Sequence, residues 1–107
     1  MIDQQPKPDW APVPRPGCRG VSGRVLLARD GLMIANLKFE PHAIIDEHDA
    51  PYDIDVICLE GSGVTKVDGM EHPIQAGQTV RWPKDVMHQL WTGDDTLETL
   101  MVERIGK

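Results

Sequence analysis

Apolar and polar residues alternate in short runs separated by turn dipeptides along most of the chain, a pattern of strands rather than helices. Leu32 to Phe39 places Met33, Ala35, Leu37 and Phe39 on one face and Asn36 and Lys38 on the other, so one side reads as core and the other as wetter. Arg24 to Arg29 precedes it across Asp30-Gly31, the strongest hairpin signal in the chain. Glu40-Pro41-His42 reads as a strand break, with Ile44 to Asp49 a separate polar stretch. Ile54 to Leu59, whose only charge is Asp55, reads as a buried strand, turned by Gly61-Ser62-Gly63 into a returning Val64 to Val67. Asp68-Gly69 turns the chain again into Met70 to Gln75. From Ala76-Gly77 a further strand runs to Trp82-Pro83, reverses at Lys84-Asp85 and returns as Met87 to Thr92, closed by Gly93-Asp94-Asp95. Proline cannot donate to a ladder, so Pro83 marks a strand end. In Thr96 to Ile105, Leu97, Leu100, Met101 and Ile105 fit a helical stripe, but the preceding turn rhythm with Thr96, Thr99 and Val102 favours a strand. Turns at intervals of roughly ten residues predict an all-β sandwich or barrel.

The start of the chain differs. Five of the nine prolines precede Gly17, which excludes a helix or an inner strand and predicts an extended arm over residues 1–20, ahead of a barrel domain over residues 21–107. Trp10 is the arm's one large apolar anchor. Pattern alone leaves open whether the arm is loose, lies across the body or reaches a partner subunit.

With 107 residues there is room for one domain. Eleven basic against 17 acidic residues give a net charge of −6, which disfavours nucleic acid and anionic membrane surfaces as partners. Met1 to Asp9 lacks a basic start followed by an apolar run, and no apolar stretch is long enough to span a bilayer, so a cytoplasmic location is expected. Cys18 and Cys58 form no CxxC. Cys58, between Ile57 and Leu59, reads as a buried small hydrophobe, and Cys18 as an exposed thiol, incidental rather than reactive although the adjacent Arg19 would favour its thiolate.

The candidate chemistry lies in the histidines. His88, shortly after the Pro83 turn, is expected at a rim, and His48 approaches another strand, so the two imidazoles could face one cavity. His42 in a turn and His72 in a hairpin are expected in solvent, as are Asp94, Asp95 and Glu98, and Trp91 falls on the face opposite His88 and Leu90. No P-loop, GxGxxG or GxSxG motif is present.

The stretch from Gly77 through Pro83 to His88 resembles the second conserved motif of the cupins, and Leu59-Glu60-Gly61-Ser62-Gly63 resembles the end of their first. Asp85 stands where a glycine is usual and Thr92 where an asparagine is. The resemblance covers about Leu32 to Ile105 and implies an antiparallel double-stranded β-helix, the jelly-roll cupin barrel, in a protein expected to be a homodimer. Cupins typically draw four metal ligands from the barrel, three from the first motif: two histidines one residue apart, then a glutamate. Here the matching positions are His48, Ala50 and Ile54, and His88 is the fourth. The implied cofactor is a divalent transition metal (Ni, Zn, Fe or Mn) on His48 and His88, with water or a carboxylate completing the shell. Strand alternation aims Asp53 and Asp55 away from the face of Ile54, unless a bulge after Pro51 reverses Asp53, while Tyr52 has the inward parity. Asp46-Glu47 could orient His48 or merely keep the loop wet. Dioxygenase, isomerase or lyase chemistry on a small organic molecule would suit the family. Alternatively, the histidines are only hydrogen-bonded polar groups in a metal-free barrel that carries or senses a small ligand, or the domain binds a partner. Trp82 would pack in the core, or line with Phe39 and Met87 an apolar pocket for a small aromatic or carboxylate-bearing molecule. Whether the protein is an enzyme stays open at this level.

Overall fold

The computed structural model describes residues 6–106 and, among them, contains strands and no helix. The strands are β1 (Ala11–Pro12), β2 (Cys18–Arg29), β3 (Leu32–His48), β4 (Ile54–Val67), β5 (Met70–Gln75), β6 (Thr79–Trp82), β7 (His88–Trp91) and β8 (Leu97–Glu103). The last element is thus a strand, with Leu97, Thr99 and Met101 buried on its inner face. Two hairpins close as their dipeptides require. Asp30 and Gly31 (φ 54° and 75°) and Asp68 and Gly69 (φ 52° and 79°) occupy the left-handed conformations of two-residue loops, setting Arg29 opposite Leu32 and Val67 opposite Met70.

Two expected interruptions are bends instead. Glu40-Pro41-His42 does not end β3, and Gly61-Ser62-Gly63 does not reverse β4; each strand runs on and changes partner. Along one edge β3 pairs with β8 from Met33 to Phe39, then with β7 from Ile44 to His48. β4 pairs with β8 and β6 before its bend and with β7 and β5 after it. The result is two faces of a closed antiparallel barrel, stitched by two strands that belong to both.

Each bend has a local cause. At the first, His42 adopts φ 60° and its N–H donates to the Gly93 carbonyl at 2.8 Å. The buried Thr92 hydroxyl donates to the Glu40 carbonyl (2.6 Å) and accepts the Ala43 N–H (2.9 Å), supplying partners that the Pro41 kink would otherwise leave unmet. At the second, Gly61 has φ 80° and lies so close to β8 that a Cβ would sit 1.8 Å from the Thr96 carbonyl oxygen.

The interior is filled by inward positions of both faces, among them Phe39, Ile54, Val56, Ile74, Leu90 and Leu97. Asn36 departs from its expected wet face. It is 3% exposed, accepting from Arg24 Nε at 3.1 Å and donating to the Thr99 carbonyl at 3.0 Å. Cys58 is buried as expected. Cys18 is half-buried rather than exposed, and burial outweighs the Arg15 charge to raise its thiol above the usual range, in keeping with an incidental thiol.

The described part of the arm lies across the body. Ala11 and Pro12 pair with Gly23 and Ser22 at the edge of β2, the Val13 N–H donates to the Val21 carbonyl at 3.0 Å, and the Trp10 ring has the Arg24 guanidinium at 4.1 Å and the Lys38 ammonium at 4.3 Å. No helix among the described residues is long and apolar enough to cross a membrane.

Two glycines with nearly the same φ test the second bend. Nothing surrounds Gly69, so Gly69→Ala should cost only the left-handed strain, about 1–2 kcal/mol. Gly61→Ala adds a backbone overlap and should cost roughly twice that or more, or prevent folding, in urea denaturation.

Candidate functional site

The change of partner by β3 delivers His48, its last residue, opposite His88, the first residue of β7. The two imidazoles meet with Nε2 atoms 3.1 Å apart and ring centroids 4.4 Å apart. His48 is half-buried at the cavity wall; His88 is fully buried, not at a rim. Its depth comes from Trp82, whose indole stacks on the imidazole at 4.0 Å with planes 11° apart. Trp82 is itself pinned, its Nε1–H donating to the Thr65 hydroxyl (2.9 Å), which donates to the Gln89 carbonyl (2.8 Å).

The hydrogen bonds assign the protons. The Asp46 carbonyl lies 2.8 Å from His48 Nδ1, so that nitrogen carries the hydrogen and Nε2 is the acceptor. With that tautomer His88 Nε2–H donates to His48, while its buried Nδ1 has no partner at hydrogen-bonding geometry, the Val86 backbone being the group that acts on it. The residue that orients His48 is therefore Asp46, through its backbone carbonyl rather than its carboxylate. Both imidazoles are held neutral. Burial is the main cause for each, and it takes His88, repelled also by His48, down to about 4.

A cavity of about 290 Å³ opens beside His48. Leu37, Ile45, Ile54, Trp82 and Met101 form its apolar walls, and Ala50 and Ile54, the positions where the family pattern places ligands, are part of that lining. Of the three residues expected to line one apolar pocket, only Trp82 lines this cavity. Phe39 is packed in the core, and Met87 points to solvent.

Tyr52 faces the cavity as its parity required, and its hydroxyl donates to Glu103 Oε1 at 2.9 Å. Glu103 was not recognised in the sequence as a site residue. It continues the inward series Leu97, Thr99, Met101 of β8, a signal that exists only once the strand assignment is settled. Burial raises its carboxyl above the usual range, against the opposing effect of the Tyr52 hydrogen bond. Arg15, equally unforeseen, reaches the cavity from the arm.

Asp53 and Asp55 stay outside, as alternation predicted. Arg81 binds Asp55 through two hydrogen bonds (2.7 and 3.0 Å) that lower its carboxyl, while Asp53 accepts the Lys84 N–H at 2.8 Å. His42 pairs with Asp94 at the surface, and His72 is exposed. Among the described residues no group of three or more His, Cys, Asp or Glu is placed to hold a metal ion, so the protein offers an ion two imidazoles rather than four ligands.

A family model described as a cupin domain matches residues 36–103, most of the folded body. This chain belongs to the cupin family. Among solved structures, the polyketide cyclase RemF from Streptomyces resistomycificus superposes with a TM-score of 0.86 at 20% identity, over 96% of this chain and 79% of that one. A cupin-2 domain from Rhodospirillum rubrum gives 0.82 at 18% identity over 97% and 75%, and KdgF from a Halomonas species gives 0.72 at 20% over 90% and 86%. These likenesses establish the cupin fold. A search of curated proteins finds no match.

The buried pair sets a pH dependence. Unfolded His88 takes up a proton near its ordinary 6.5, whereas the folded residue resists until about 4. The unfolded chain thus binds more protons in that window, and stability falls as pH drops through it, by on the order of 3 kcal/mol. NMR titration should find His88 unprotonated at pH 5.5, and His88→Gln should flatten the stability profile between pH 6.5 and 4.

Proposed function

We propose that this cupin barrel binds a small organic molecule in the cavity beside His48 and acts on it by proton transfer. One observation carries the reading: apolar walls converge with an imidazole acceptor, a tyrosine–carboxyl pair and an arginine around a volume suited to a small ligand. A neutral imidazole can accept a proton at neutral pH through Nε2 once the bound molecule takes the place of His88 there, and a carboxyl whose affinity for its proton is raised can return one. Such a pair suits the isomerase or lyase chemistry of the family better than simple carriage. The barrel likeness to a polyketide cyclase over nearly the whole chain accords with an organic ligand. Titrating isotope-labelled protein with a panel of small phenols and aromatic carboxylates should move resonances of Leu37, Ile45, Ile54 and Met101 first. Ile54→Trp, which fills the cavity, should abolish the effect. Shifts confined to other surfaces, or none at millimolar concentrations, would refute the reading.

A second reading rests on the 3.1 Å between the two Nε2 atoms. That separation is compatible with two bonds of roughly 2.0–2.1 Å to one ion. With the His88 hydrogen moved to Nδ1, His48 and His88 would hold a divalent metal by these atoms, the bound ligand or water completing the shell where Ala50 and Ile54 offer no donor, and the ion would supply Lewis-acid or redox chemistry. Calorimetric titration with Ni, Zn, Fe(II) and Mn in turn should then show one site per chain that disappears in His48→Ala. Heats equal in the wild type and the variant would remove the metal.

A further inference from the structure

We propose that the ligand of this cavity is an organic anion, and that Arg15 of the N-terminal arm is the group that recognises its carboxylate. The inference deepens the ligand-binding reading above and rests on it.

Arg15 is exposed at the mouth, and its side chain lines the cavity. Among the described residues it makes no ion pair or side-chain hydrogen bond, which sets it apart from Arg81 and Arg104, both occupied by Asp55. An arginine over an apolar pocket with no carboxylate of its own is a recognition element in search of an anion. Its reach is wide. The guanidinium acts on His48, His88, Tyr52, Cys18 and Glu103, whereas Asp49, the acidic residue of the same lining, acts on the two histidines but not on Tyr52 or Glu103. An anionic group held by Arg15 would share the cavity with His48 and the Tyr52–Glu103 pair.

Arg15 is also held in place rather than waving. Arg15-Pro16-Gly17-Cys18 forms a tight turn in which the Cys18 N–H donates to the Arg15 carbonyl at 3.1 Å and Gly17 takes φ 84°, the arrangement that Pro-Gly favours. The Asp46 N–H donates to the Gly17 carbonyl at 3.1 Å, tying the turn to β3 two residues before His48. On the other side the arm is fastened by Val13, which lines the same cavity, and by Trp10 between Arg24 and Lys38. The turn thus fixes the Arg15 backbone at the mouth, so that only the side chain has to be ordered when an anion binds.

The experiment compares benzoate, phenylacetate and 3-phenylpropionate with the matching primary alcohols, by calorimetry on the wild type, Arg15→Gln and Arg15→Lys. The wild type should prefer at least one acid over its alcohol by about tenfold, the discrimination expected of a charge-assisted hydrogen bond. Arg15→Gln should erase that preference while leaving the alcohol affinity unchanged, Arg15→Lys should restore part of it, and added NaCl should weaken acid binding only. Equal affinity for acids and alcohols in the wild type, or a preference that survives Arg15→Gln, would overturn the anion assignment and leave the binding cavity standing. Binding of neither series would overturn both.

Discussion

Everything in this barrel follows from two long strands that each serve both faces. A β-strand can cross from one sheet to another only by bending without losing its hydrogen bonds, and the two bends here use different devices. At Gly61 the main chain approaches the Thr96 carbonyl more closely than any side chain permits. At Pro41-His42 the missing donor and the kink are absorbed by the Thr92 hydroxyl, which serves a carbonyl and an amide at once. The threonine that departs from the usual asparagine of the family motif is thus the clasp of the corner.

The site is a by-product of that geometry. After its bend β3 leaves β8 for β7, and this exchange alone sets His48 opposite His88. β8, paired with β3 from Leu97 to Glu103, carries its inner face along that length and ends with Glu103 at the cavity. Burial then does the electrostatic work, disfavouring charge on whatever it covers: imidazoles lose affinity for protons and the carboxyl gains it. One cause thus acts in opposite directions on a base and an acid that share one apolar space. The state that makes an imidazole a base also makes it a metal ligand, so the proton-transfer and metal readings draw on one physical circumstance.

Several features were legible because they depend on near neighbours in the chain. Asp-Gly pairs close hairpins through their own backbone preferences, and Asp55 lies outside because Ile54 and Val56 lie inside. Turn rhythm favours a strand over a helix for the last element, and the buried alternation of β8 bears this out. Gly61-Ser62-Gly63 misled because a glycine cluster signals positive φ without saying whether the chain reverses or only bends. His88 was placed at a rim on the strength of Pro83, whereas an indole from a different strand covers it. Asn36, polar and on the outer face, is buried by Arg24, Thr99 and Glu98, which sequence distance conceals.

By itself the sequence determined the β class, the registers of the two Asp-Gly hairpins, the family and the candidate pair His48 and His88, since alternation, turn chemistry and motif spacing are written within a few residues of one another. The return through Lys84-Asp85, by contrast, joins two strands that do not pair with each other. Only the tertiary structure decided that the two imidazoles touch, that Tyr52 and Glu103 form a pair, and that Arg15 reaches their cavity. Those contacts join residues tens of positions apart through the partner exchange of bent strands, and burial, which sets their protonation, belongs to the closed barrel and to no segment of it.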